Sequence, residues 1–134
     1  MWIFRGLFDR INKIMKYDIT DALISLKPGS EWSLDGYDYS GLNWLDSKQT
    51  RPTETEVNSK ISELDRAEPM RLLRIERDAR IAKTDWRASS DLTLADAWKT
   101  YRQALRDLPA SATPKLDSNY ELDLSSVNWP TEPS

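Results

Sequence analysis

The sequence predicts a mainly α fold with a minor β part (α+β): a small N-terminal helix plus β-hairpin unit, a helical hairpin or kinked coiled coil, and an extended C-terminal tail. Three observations carry this. Apolar residues recur at steps of three and four from Val57 to Trp86 and again from Leu94 to Leu108, the period of amphipathic helices. Two short apolar stretches between residues 31 and 45 flank a run of glycines and aspartates, which is turn chemistry. Beyond Leu108, Pro109, Pro114, Pro130 and Pro133 accompany one basic and four acidic residues, a composition that seldom folds alone.

Taken in order, residues 1–15 place Ile3, Leu7, Ile11 and Ile14 at helical spacing, with Trp2, Phe4, Phe8 and Met15 widening the apolar face. An amphipathic N-terminal helix is expected, either at a membrane surface or partner, or packed on its own protein or an oligomer mate. Arg5, Arg10 and Lys13 offer weak lipid attraction, so packing is preferred and a membrane partner is not expected. Met15 is an alternative start, because Met15-Lys16-Tyr17-Asp18 also reads as the opening of a compact domain.

Residues 16–52 should form the helix-plus-hairpin unit. Ile19, Ala22, Leu23 and Leu26 suit a short helix over Tyr17 to Leu26, stopped by Pro28-Gly29. Strands are expected at Glu31 to Leu34 and Leu42 to Leu45, anchored by Trp32 and Trp44. Asp35 and Asp38 in the intervening turn lack the alternating oxygen ligands and terminal glutamate of a calcium loop, so no metal is assigned there. Tyr37, Tyr39 and Trp44 could make an aromatic binding surface, but half-buried hairpin aromatics are the commoner explanation.

The helical region, residues 53–108, opens at Pro52-Thr53, where Thr53 and Glu56 have capping-box spacing. One stripe then runs through Val57, Ile61, Leu64, Glu68, Leu72, Ile75, Ala79, Ala82 and Trp86. Pro69 interrupts it and should kink it or break it in two. Arg71, Arg74, Arg77 and Arg80 invite a phosphate-binding reading, but at spacing three each step turns back about 60° and spreads them around the helix. Glu68 and Glu76 stand three and four residues before Arg71 and Arg80, so intrahelical ion pairs are the expected arrangement.

Thr93 and Asp96 have the spacing of an acidic capping box before a second helix, faced by Leu94, Ala97, Trp98, Tyr101, Leu105 and Leu108 and stopped by Pro109. The connection from Lys83 to Leu92 is short enough for an antiparallel helical hairpin, with Trp86 and Trp98 plugging opposite ends. The Pro-containing tail, residues 109–134, alternates apolar residues from Tyr120 to Leu124. It keeps Leu122, Leu124, Val127 and Trp129 as bulky anchors, which need a surface on this chain or on a partner.

Composition excludes most enzyme classes. The 134 residues include no Cys and no His, which removes disulfides, thiolate zinc sites, Cys nucleophiles and imidazole bases. No phosphate-cradling motif or carboxylate pair in a pKa-separating environment appears, so no catalytic residue, cofactor or metal is expected. A net charge of -3 and a pI of about 5.0 argue against nucleic acid as a partner. The longest uncharged run, Leu124 to Thr131, is eight residues, against the roughly 20 that span a bilayer. Charged residues also break the N-terminal apolar run, so no secretory signal is expected and the chain should be made in the cytoplasm.

Three stretches carry a family resemblance: Arg77-Asp78-Ala79-Arg80-Ile81-Ala82-Lys83-Thr84-Asp85-Trp86, then Trp98-Lys99-Thr100-Tyr101-Arg102-Gln103-Ala104-Leu105-Arg106-Asp107-Leu108-Pro109, then Asn128-Trp129-Pro130. In that order they resemble the C-terminal region of bacteriophage tail assembly chaperones and tail-fibre assembly proteins, over about residues 71–134. Arg80 departs from the pattern, where a pair of apolar residues is usual, so a narrower packing face is expected. The resemblance implies a non-enzymatic protein that assists tail-fibre assembly, acting in the host cytoplasm or staying in the virion tail. A structural tail or fibre component is the alternative, and a peripheral membrane protein using residues 1–15 is another. The implied partner is a tail-fibre or other tail protein, with a homo-oligomer as a further option. Trp86, Trp98, Tyr101, Arg102 and Trp129, with tail anchors Leu122, Leu124 and Val127, are the expected partner-binding or framework positions.

Overall fold

The structure, a computed structural model, describes residues 16–89 and 92–134; the amphipathic helix expected over residues 1–15 lies outside them. Among the described residues, three α-helices and one two-stranded antiparallel sheet form in the order α1 (Ile19–Leu26), β1 (Trp32–Leu34), β2 (Leu42–Trp44), α2 (Glu54–Ala82) and α3 (Asp96–Ser111), joined by short 3₁₀ turns. The chain is mainly α with a little β. It forms two compact units, the first ending at Ala67 and the second spanning Glu68–Ser134.

In the first unit, α1 is held at its start by a capping box that the sequence reading did not identify. The Asp18 carboxylate accepts from the Asp21 N–H at 3.1 Å, and the Asp21 carboxylate accepts from the Asp18 N–H at 3.0 Å. Each satisfies a donor that the first helical turn leaves open. The helix buries Ile19, Ala22 and Leu23 against Leu42 and Val57, with Leu26, Trp32, Leu34, Tyr39, Trp44 and Ile61 around them.

β1 and β2 pair as expected, one residue shorter at the outer ends, with Trp32 opposite Trp44 and Leu34 opposite Leu42. Gly41 closes the turn because a Cβ there would lie 1.8 Å from the Asp35 carbonyl oxygen. That close approach lets the Asp35 N–H donate to the Gly41 carbonyl at 2.9 Å. The Trp44 indole N–H donates to the Gln49 carbonyl at 2.9 Å, and the Tyr39 hydroxyl to the Pro52 carbonyl at 2.6 Å. Of the three hairpin aromatics considered as a binding surface, Tyr39 and Trp44 therefore pack inward, while Tyr37 stays exposed. After β2, backbone N–H groups of Gln49, Glu31 and Lys48 converge on the Asp46 carboxylate and hold its pKa below the ordinary range.

α2 begins where the capping box placed it: the Glu56 N–H donates to Thr53 Oγ1, and the Thr53 N–H to Glu56 Oε2, both at 3.1 Å. It then runs as one helix of 29 residues through Pro69, so of the expected kink or break, the break does not occur. A proline removes its own N–H bond and crowds one carbonyl. Buried residues on both sides of it, Val57 at 1% exposure and Leu73 at 0%, hold the helix across that gap.

In the second unit, α2 and α3 run antiparallel. Leu73 packs with Leu108, and Ile81 packs with Trp98, Tyr101 and Leu105, so the early part of one helix meets the late part of the other. Two expectations about α3 are corrected. Thr93 and Asp96 form no capping box: the helix starts after Ala95, without a side-chain cap. Leu94 packs against the Trp98 cluster instead. Pro109 does not stop the helix, which continues to Ser111 and closes with the Ala112 N–H on the Leu108 carbonyl at 3.0 Å. A proline this close to a helix end forfeits one bond, and Leu108, buried beside it, compensates through packing.

The tail makes no strand from Tyr120 to Leu124. A single antiparallel bridge joins Leu116 to Leu122 around a tight turn in which Tyr120 adopts a φ of 63°. A 3₁₀ turn then covers Leu124–Ser126, with the Asp123 carboxylate accepting from the Ser125 N–H. Local hydrogen bonds of Asp117 and Asp123 thus take up backbone groups that a strand would need. Val127, 6% exposed, packs with Leu73 and Leu108.

Candidate functional site

The eight positions expected at a partner surface all fall in the second unit, and the structure sorts them by exposure. Trp98, Tyr101 and Val127 are core residues at 7%, 6% and 6% exposure. Trp98 and Tyr101 meet edge to face, with ring centroids 5.9 Å apart and planes at 89°, an arrangement that the ring quadrupoles favour. Leu122 and Trp129 are partly buried against the Leu73, Leu108 and Val127 cluster. Trp86 and Leu124 are exposed, at 60% and 49%.

Arg102 is a structural hub at the end of α2. Its Nη1 donates to the Ile81 carbonyl at 3.3 Å, to Thr84 Oγ1, and to Asp85 Oδ1 at 2.9 Å. Thr84 is buried, and its hydroxyl donates to the same Ile81 carbonyl at 2.7 Å. One guanidinium on α3 therefore satisfies carbonyl and side-chain oxygens that the C-terminus of α2 leaves open.

Trp86 does not plug the hairpin opposite Trp98. Both lie at the same end, because α2 stops at Ala82 and a 3₁₀ turn over Asp85–Ala88 carries Trp86 out of the helical stripe. The Arg87 guanidinium lies over both rings, 4.5 Å from the Trp86 centroid and 3.9 Å from that of Trp98. Two cation–π contacts tie the exposed indole to a buried one and restrict its rotamers before any partner arrives. The sequence reading gave Arg87 no role; a cation beside one tryptophan and eleven residues before another is no signal until the helices fold back.

The tail anchors settle largely on their own chain. Arg80, the departure from the family pattern, lies over the Trp129 ring at 4.0 Å, and its Nε donates to Glu76 Oε1 at 2.9 Å. A guanidinium stacked on an indole covers area that an aliphatic side chain would otherwise cover. The Trp129 indole N–H donates to the Leu124 carbonyl at 3.2 Å, so backbone contact fixes the loop that presents the exposed Leu124.

The arginine series forms the ion pairs expected of it. Arg71 is bidentate on Glu68, both contacts at 2.7 Å, and Arg80 pairs with Glu76. Glu68 is buried and Arg71 half-exposed, a geometry that offsets the desolvation of the carboxylate. No group of three His, Cys, Asp or Glu among the described residues is arranged to hold a metal ion. No helix among them is long and apolar enough to cross a membrane.

The unit is a two-helix frame with a stacked, exposed tryptophan at one end and exposed apolar residues Ile75, Leu92 and Leu124 elsewhere. Neither a curated protein nor a solved structure matches the chain. Its C-terminal region, residues 70–134, matches the family model of the phage tail assembly chaperone protein.

Proposed function

We propose that this chain binds a tail-fibre protein and assists its folding or trimerisation, without catalysis, in the host cell during phage assembly. The observation that carries the proposal is Trp86, 60% exposed and held by Arg87 in the region that matches the family. Tryptophan is the side chain most enriched at binding hot spots, and one that is already ordered loses little entropy on docking. Leu124, on the Asp123-capped turn, is the second contact. Trp98, Tyr101, Arg102 and Val127 act as the frame that positions them, and Leu122 and Trp129 brace the tail.

The role fits the folding problem of the partner. Fibres built from intertwined β-strands close through non-local pairing, which is slow and leaves strand edges and apolar faces open to misassociation. A small protein with pre-ordered aromatic contacts covers such a face until the trimer closes. The test is co-expression of the full chain with a tail-fibre protein of the same phage. Trp86→Ala combined with Leu124→Ser is expected to keep this chain folded by circular dichroism while soluble trimeric fibre falls several-fold. Undiminished fibre trimer with the double variant would refute the assignment of these contacts.

A further inference from the structure

Arg87 stands apart from the other arginines of the second unit. Arg77, Arg80, Arg87 and Arg102 are all half-buried, and taking a guanidinium part-way out of water costs hydration that a carboxylate partner offsets. Asp78, Glu76 and Asp85 fill that place for Arg77, Arg80 and Arg102. Among the described residues the Arg87 side chain makes no ion pair and no hydrogen bond; its contacts are the rings of Trp86 and Trp98. Asp85, two residues before it, is held by Arg102, and Asp91, four residues after it, lies outside the described residues.

The two ring contacts leave its hydrogen-bonding capacity unused. Cation–π attraction acts between the positive charge and the ring face, whereas the five N–H donors lie in the guanidinium plane, in a fork that matches a carboxylate. Two indoles hold that fork in place before an acceptor arrives. The surroundings favour an acidic one. Residues 80–102 include five basic and three acidic side chains, and two of the acidic ones, Asp85 and Asp96, already pair with Arg102 and Lys99. Lys83, on the same connection, is exposed and has no ion pair among the described residues. Trp86 and Leu92 add exposed apolar surface on either side of Arg87 in the chain.

We infer that Arg87 sets the specificity of the Trp86 contact: the tail protein docking there presents an Asp or Glu side chain next to an apolar one. The carboxylate takes the Arg87 fork, while the apolar neighbour packs on the exposed Trp86 ring and on Leu92. The inference rests on the fibre-docking reading and adds the partner's chemistry to it. A segment with no carboxylate would cover the open donors of Arg87 and leave them unsatisfied, so the contact selects against it.

Calorimetric titration of the full chain with a tail-fibre protein of the same phage tests this, with circular-dichroism melts establishing that each variant is folded. Wild-type affinity is expected to fall several-fold between about 50 mM and about 500 mM salt. Arg87→Gln should weaken binding about tenfold, the scale of one charge-assisted hydrogen bond, and should remove most of the salt dependence. Arg87→Lys keeps the charge and should lose less. Arg87→Glu should abolish binding, and a Lys in place of one Asp or Glu, within the fibre segment whose hydrogen exchange this chain slows, should restore it. The inference is overturned by a salt dependence that Arg87→Gln leaves unchanged, by an Arg87→Glu variant that binds like wild type, or by a scan of that segment in which no replacement restores binding. It is also overturned if Arg87→Gln and Asp91→Asn lower the melting temperature equally and together lower it no further, since the fork is then spent on this chain's own Asp91. Binding lost with Trp86→Ala but kept with Arg87→Gln would refute the carboxylate and leave the fibre-docking reading standing. Binding undiminished by both would refute the two together.

Discussion

Truncating Leu73 to alanine tests which side of α2 faces the core of the second unit. Leu73 has no exposed surface and touches the cluster of Leu108 and Val127, with Met70, Ala112, Leu122 and Trp129 around it. Leu→Ala removes three carbon groups at about 0.8 kcal/mol each, or about 2.4 kcal/mol of transfer free energy. The unfilled cavity raises the cost to about 3–5 kcal/mol, because neighbours drawn from two helices and the tail relax only partly. Ile75, two residues on and 54% exposed, should lose less than about 1 kcal/mol on the same truncation. At about 4–8 °C per kcal/mol for a small cooperative unit, Leu73→Ala should lower the thermal midpoint by more than about 12 °C, and Ile75→Ala by a few degrees. Thermal melts followed by circular dichroism read the difference. Equal losses from the two truncations would mean that the helix is rotated relative to this description.

Two further outcomes follow from the same unit. Arg102→Ala removes the donor to the Thr84 hydroxyl oxygen, the Ile81 carbonyl and Asp85 and should cost about 1–3 kcal/mol in chemical denaturation, whereas Arg106→Ala, whose exposed side chain donates to Gln103, should stay within about 0.5 kcal/mol; similar losses would remove Arg102 as the hub. Deleting residues 115–134 uncovers Leu73 and Leu108 and should broaden or abolish the cooperative melt of the second unit; an unchanged melt would show that the tail contributes no packing.

Legibility in the sequence followed the range of the interactions. Thr53 and Glu56 are three residues apart, and their reciprocal hydrogen bonds form where the spacing predicts. The Arg71–Glu68 and Arg80–Glu76 pairs, also local, behave the same way. Trp98, Tyr101, Leu105 and Leu108 define an unambiguous face, and all four are buried. Failures gather where a distant partner decides. The stripe through Leu72, Ile75, Ala79 and Ala82 satisfies helical periodicity as well as the line through Met70, Leu73 and Ile81 that packs. Periodicity cannot choose between two faces of one helix when both hold apolar residues. The roles of Arg80 over Trp129 and Arg87 over Trp86 and Trp98 were invisible for the same reason, since a charged residue counts as solvent-facing until an indole arrives to cover it.

That ambiguity has a physical cause. The second half of α2 covers part of its core-facing side with amphipathic side chains, Arg80 stacked on Trp129 and Arg77 reaching the Arg106 carbonyl at 3.4 Å. Their aliphatic stems and flat guanidinium groups do work that would otherwise need isoleucine or leucine. The fully apolar Leu72 and Ile75 are thereby left on the outer side of the helix, half-buried and exposed respectively. Replacing Arg80 with leucine tests this: the contact with Trp129 should survive, because a leucine also covers an indole, and the thermal midpoint of the second unit should change little.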